Sequence, residues 1–137
     1  MSRDPRLDLA RRIGEFRLDP FGYAHFAFPW GEGDLANATG PREWQARELK
    51  RIRDHLQNPE TRFQPCRIAV ASGHGIGKSA EIGMIVKWAL DTCVDTRIVV
   101  TANTETQLLT KTSPEIAKWN RLAITRDWFR ANATSLV

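Results

Sequence analysis

The sequence predicts an α/β fold, a three-layer core in which a parallel sheet is flanked by helices on both faces. Three observations lead there. Ile68-Ala-Val-Ala71 and Thr96-Arg-Ile-Val-Val-Thr101 are short, nearly continuous apolar runs, as strands buried on both faces require. Between them Ile82, Ile85, Val86, Ala89, Leu90 and Cys93 recur at helical spacing, a stripe wide enough to lie on a sheet. A glycine-rich turn ending in Gly77-Lys78-Ser79 joins the first run to that helix. Strand, helix and strand form a βαβ unit with a right-handed crossover, its strands near 67–72 and 97–102.

In chain order, Leu7, Ala10 and Ile13 suggest a short amphipathic helix that Asp19-Pro20 ends. Phe21-Gly-Tyr-Ala-His-Phe-Ala-Phe-Pro-Trp30 is rich in rings. It reads either as an arm pinned to the domain through Phe26, Phe28 and Trp30, or as a base-stacking surface. Residues 1–40 form this arm, and 41–137 the partial core domain. A helix follows over 43–57, after Pro41 and before Asn58-Pro59, with Leu49, Ile52 and Leu56 on one face. Gln45 extends that inward stripe, and a polar amide there needs a partner. Arg47, Lys50, Arg51 and Arg53 lie off it, as a solvated face or a nucleic-acid patch. The helix after the glycine turn spans 79–93. Thr104-Glu-Thr-Gln107 has capping-box spacing, and Ser113-Pro114 restarts or kinks the helix so begun. Ile116 and Trp119 point inward, Trp128 and Phe129 form a small buried anchor, and 133–137 begin another strand.

Composition narrows the classes. The chain has 137 residues, 42% of them hydrophobic, with 20 basic and 16 acidic side chains, a net charge of +4. That length suffices for one cored domain, and the charge suits a polyanion without demanding one. Cys66 and Cys93 lack metal-ligand spacing and fit reduced thiols of a cytoplasmic protein. No run is apolar and long enough to cross a bilayer and no signal peptide is present, so no membrane partner is expected.

The glycine turn carries the chemistry. Ser72, Gly73, His74, Gly75, Ile76, Gly77, Lys78 and Ser79 match the P-loop pattern G-x-x-x-x-G-K-[ST], except that Ser72 replaces the first glycine. Backbone N–H groups of such a loop converge on phosphate oxygens, and the helix N-terminus adds partial positive charge. Lys78 would neutralise the β/γ-phosphates and Ser79 would hold Mg²⁺, so ATP and Mg²⁺ are the expected ligands. His74 is either a solvent-facing loop residue or a phosphate contact. The competing reading of the whole string is a capping turn with a chance lysine. A P-loop hydrolase also needs an acid after a second core strand and a group that orients water. The run at 98–101 ends in Thr-Ala-Asn and no acid follows 133–137. The sequence therefore reads as the front part of a larger ATPase, truncated before its acidic motif, with catalytic residues unassigned.

These residues resemble the large subunit of the tailed-bacteriophage (or prophage) terminase, the DNA-packaging motor. Pro41-Arg-Glu-Trp44-Gln45 looks like that family's adenine-contacting segment, with Gln45 reading the base. Ser72 to Ser79 looks like its P-loop, whose first glycine is often replaced. Thr101-Ala-Asn-Thr104-Glu-Thr-Gln107 is similar to its Thr-Ala-x-Thr-x-x-Gln motif, and Tyr23 to Trp30 to its upstream arm. The likeness spans about residues 20–120. It implies an ATPase that drives double-stranded DNA into a procapsid, with portal and small-subunit partners, a ring of copies in the full-length protein, and a following nuclease domain. Some relatives place an arginine finger where this chain has His74, which leaves the finger unassigned. The alternatives are a fragment of a superfamily-2-like helicase and a non-hydrolysing nucleotide-binding module. A small P-loop kinase would add an arginine-bearing lid, which is not recognisable here.

Overall fold

The computed structural model describes residues 4–70 and 77–137. Two compact units divide the chain, Met1–Ala71 and Ser72–Val137.

The first unit is helical. Helix α1 (Pro5–Gly14) starts where the Asp4 carboxylate accepts the Arg6 backbone N–H at 2.9 Å, with Pro5 in the first turn. It buries Ile13 completely. The aromatic segment is itself a helix, α2 (Pro20–Ala27). Helix α1 already stops at Gly14, ahead of the Asp19-Pro20 expected to end it, and those two residues instead open α2. The Asp19 carboxylate accepts the Gly22 N–H at 2.9 Å, and Pro20 needs no donor in the first turn. Gly22 is required there, since a Cβ would lie 2.3 Å from Asp19 Oδ2. Tyr23, Ala24, Ala27 and Phe28 are buried, and Trp30 Nε1 donates to the Ala24 carbonyl at 2.8 Å. Helix α3 (Glu43–Gln57) packs on α2 and buries Leu49 and Gln45. Gln57 Nε2 ties its last turn to the Leu18 carbonyl at 3.1 Å.

The second unit pairs two longer helices. Helix α4 (Lys78–Thr92) packs against α6 (Ser113–Leu122), with Gly83 seating the Trp119 ring. A Cβ at Gly83 would come within 2.7 Å of Trp119 Cδ1. Before α6 lie one turn of α-helix, α5 (Glu105–Gln107), and a π-helical turn at Leu108–Thr112. The Thr104 hydroxyl accepts the Gln107 N–H at 3.1 Å, the side-chain half of the expected capping box. Ser113 is no fresh cap: its φ of −62° and ψ of −44° are helical, and its N–H bonds the Leu108 carbonyl five residues back. That wide turn lets the helix pass Pro114, which lacks an N–H and would crowd the carbonyl four residues earlier. Trp119 is buried as expected, whereas of the expected Trp128–Phe129 anchor Trp128 is 39% exposed and Phe129 half-buried against Lys87. Residues 130–137 fold back in a hairpin joined by one antiparallel bridge, Ala131 to Leu136.

The expected three-layer parallel-sheet core is not what forms. Among the described residues 54% are helical, only 2% are strand or bridge, and there is no sheet. Residues 67–70 and 97–102 belong to no strand, and 71 and 72 lie outside the described residues. The physical reason is that no element among the described residues covers both faces of these runs. Val99 is 87% and Val70 37% exposed, whereas a parallel pair survives only when buried on both faces and joined by further strands. Helix α4 spends its contacts on α6 instead. Its buried residues include Met84, Val86, Lys87 and Trp88, while Ile82 on the expected sheet-facing stripe is 37% exposed. Val86 and Leu90 of that stripe line an open cavity of about 340 Å³ with Ile98, Val100, Ile116 and Leu136.

Candidate functional site

The glycine-rich turn enters the described residues at Gly77. This glycine is the N-cap of α4, with φ +88° and ψ +28°, a left-handed conformation that costs a residue with a Cβ about 1–2 kcal/mol. Its carbonyl accepts the Glu81 N–H at 3.1 Å, closing the first helical turn. Lys78 and Ser79 are the first two residues of the helix, both partly exposed. A cation and a hydroxyl thus stand where the backbone donors of a 15-residue helix begin. Glu81, buried in the same turn, sets a carboxylate against that positive end. Ser72, Gly73, His74, Gly75 and Ile76 lie outside the described residues.

Gln45, the expected base reader, belongs to the first unit. It is 3% exposed, and its Oε1 accepts the Arg42 backbone N–H at 2.9 Å, capping α3. The partner its inward position demands is therefore the end of its own helix. The structure brings Gly77, Lys78 and Ser79 together by adjacency on one helix, with Gln45 in the other unit.

A buried polar cluster in the second unit escaped the sequence reading. Lys87 is 1% exposed; its Nζ donates to Asp91 Oδ1 at 3.0 Å and to the Thr125 carbonyl at 3.1 Å. The Thr125 hydroxyl donates to the other oxygen of Asp91, and the ammonium lies 4.9 Å from the Phe129 ring centre. Burial pushes the Lys87 pKa below the usual lysine value, while the Asp91 charge and hydrogen bond pull it partly back. The signal was present: a lysine and an aspartate four apart, with Val86 and Trp88 flanking the lysine. Nearby, Asn120 Nδ2 donates to the Phe129 carbonyl at 3.3 Å, and its buried Oδ1 has no partner.

In the first unit the basic face and the aromatic segment, read separately in the sequence, meet at one ring. Lys50 Nζ lies 4.8 Å and Arg53 Cζ 5.8 Å from the Phe21 ring centre. The exposed His25 ring meets Phe21 edge-on at 4.7 Å between centres.

Among the described residues no group of three or more His, Cys, Asp or Glu is placed to hold a metal. No helix among them is long and apolar enough to cross a membrane. A scan against protein-family models, a search of curated proteins and a search of solved structures each found no match to this chain.

Proposed function

We propose that this chain is the ATP-binding part of a motor of the terminase type, one that couples ATP hydrolysis to movement of double-stranded DNA into a viral procapsid. The observation that carries the reading is the left-handed Gly77 followed at once by Lys78 and Ser79 on the first turn of α4. A glycine so placed lets the backbone turn its N–H groups toward a bound anion. Lys78 supplies the countercharge, and the Ser79 hydroxyl supplies a ligand for the Mg²⁺ that travels with a triphosphate. The reading rests on this loop-to-helix junction and on the ordered motifs from Tyr23 to Gln107. Portal protein, small terminase subunit and a ring of copies are the partners it implies in the host cytoplasm.

The test is a titration of ATP·Mg²⁺ followed by calorimetry. The unmutated chain binds, chelation of Mg²⁺ weakens binding, and Lys78→Ala abolishes it. Equal affinity in Lys78→Ala rules the reading out.

A further inference from the structure

We propose that the ring of Phe21, with Lys50 and Arg53 over it and His25 at its edge, is a contact surface for single-stranded nucleic acid. The argument starts from charge. A ring face attracts a cation, at about 0.5–1 kcal/mol when exposed, but two cations gathered at one ring also repel each other. Neutralisation is incomplete. Arg53 is paired with Asp54 at 3.0 Å, and Arg51, one turn away, with Glu48 at 3.4 Å. Lys50 and Arg47 have no carboxylate within ion-pair distance among the described residues. Positive charge is thus left beside an aromatic ring that is itself only half-buried. A strand of nucleic acid answers both needs at once. Its phosphates take Lys50 and Arg53, and an unpaired base stacks on the ring or on the guanidinium plane. A duplex hides its base faces and offers phosphate alone. An acidic peptide offers charge without a planar partner. The surface lies wholly within the first unit and does not depend on the nucleotide reading.

The experiment is fluorescence anisotropy of a labelled oligothymidylate about twenty nucleotides long, enough for the roughly 4–16 nucleotides that such surfaces span. Duplex and heparin serve as comparison ligands, and circular dichroism checks the fold of each variant. The full chain binds the single strand at about 50 mM salt, and affinity falls as salt rises, with a logarithmic slope near −0.7 per phosphate contact. Lys50→Gln/Arg53→Gln weakens binding at least about tenfold, and Phe21→Leu weakens it several-fold while leaving heparin affinity unchanged. Saturating ATP·Mg²⁺ does not displace the strand. The proposal is overturned if the strand does not bind, if the double charge variant binds as well as the unmutated chain, or if duplex binds equally well. Displacement by ATP overturns it too, because the strand would then occupy the nucleotide loop. If Phe21→Leu fails to fold, the charge variant and the duplex comparison decide.

Discussion

Gln45 shows how one side chain can be claimed by two roles. Its oxygen caps α3, so Gln45→Ala removes a cap worth about 0.5–2 kcal/mol as well as any contact to a base. Gln45→Glu keeps an acceptor at the same place. We expect Glu to hold the thermal midpoint of the unmutated chain while lowering the preference for ATP over GTP, measured by calorimetry. Equal ATP and GTP affinity in the unmutated chain shows that Gln45 reads no base. Lys87 makes the opposite case, a charge committed wholly to the interior. Lys87→Met leaves the buried Asp91 without its ammonium partner and is expected to cost about 3–5 kcal/mol in denaturant unfolding. Lys87→Met/Asp91→Leu/Thr125→Val removes the whole polar set and recovers most of that. The pH dependence has a definite sign. Since the folded pKa of Lys87 is lowered, the unfolded chain binds the extra proton between that value and 10.5. Stability therefore rises with pH across that window in the unmutated chain relative to the triple variant, and the lysine's contribution is flat below it.

Helices α3 and α4 were legible in the sequence to within a residue at each end. Their boundary signals are local, Asn58-Pro59 after α3 and Gly77 before α4, and their apolar spacings span three or more turns. The start of α2 was not, because Asp19-Pro20 reads as a terminator in the sequence and acts as the initiator of the next helix. The two apolar runs misled for a different reason. A short run of Ile, Val and Ala reports a wish for burial, and only neighbouring strands and covering helices can grant it. Nor does periodicity say which face of a helix wins. The α4 stripe pointed to Ile82 and Ile85, yet the tight contact is made by Gly83 against Trp119. Gly83→Ala tests that contact. Alanine gains up to about 1 kcal/mol of helix propensity, but its methyl must displace an indole held on its far side by Glu115, whose carboxylate accepts from Trp119 Nε1 at 3.0 Å. We expect a net loss of about 1–3 kcal/mol in denaturant unfolding, the range for overpacking. A neutral or stabilising outcome means that the ring yields easily.

For the whole chain, the parts present define what it can do unaided. On the proposed reading, the turn at 72–79 would supply a phosphate cradle, a lysine and one Mg²⁺ ligand. The second-strand acid, the water-orienting group and an assigned arginine finger are not among its recognisable motifs. The finger alone is typically worth about 10³–10⁵ in rate. Phosphate release by the isolated chain should therefore stay at the level of Lys78→Ala, with or without double-stranded DNA. DNA-stimulated turnover above that blank means that a residue within 80–137 supplies the acid. The Gly77-Lys78-Ser79 turn-to-helix junction was legible in the sequence because it needs only adjacent residues. The buried cluster at Lys87 was not, since its third member, Thr125, lies 34 residues from Asp91 and meets it only once the chain has folded.

The π-helical turn at Leu108–Thr112 can be seen as a record of length. A helix takes this form when it carries one residue more than its two ends can share, and the surplus is confined to a single wide turn. Related chains that differ by one residue inside 108–112 would keep Trp119 seated on Gly83. What would swing is the start of the helix at Thr104–Gln107, by about 100°, the arc of one α-helical residue. Such a length change would be silent in the packed half of the unit and would re-aim only its threonine-and-glutamine doorway.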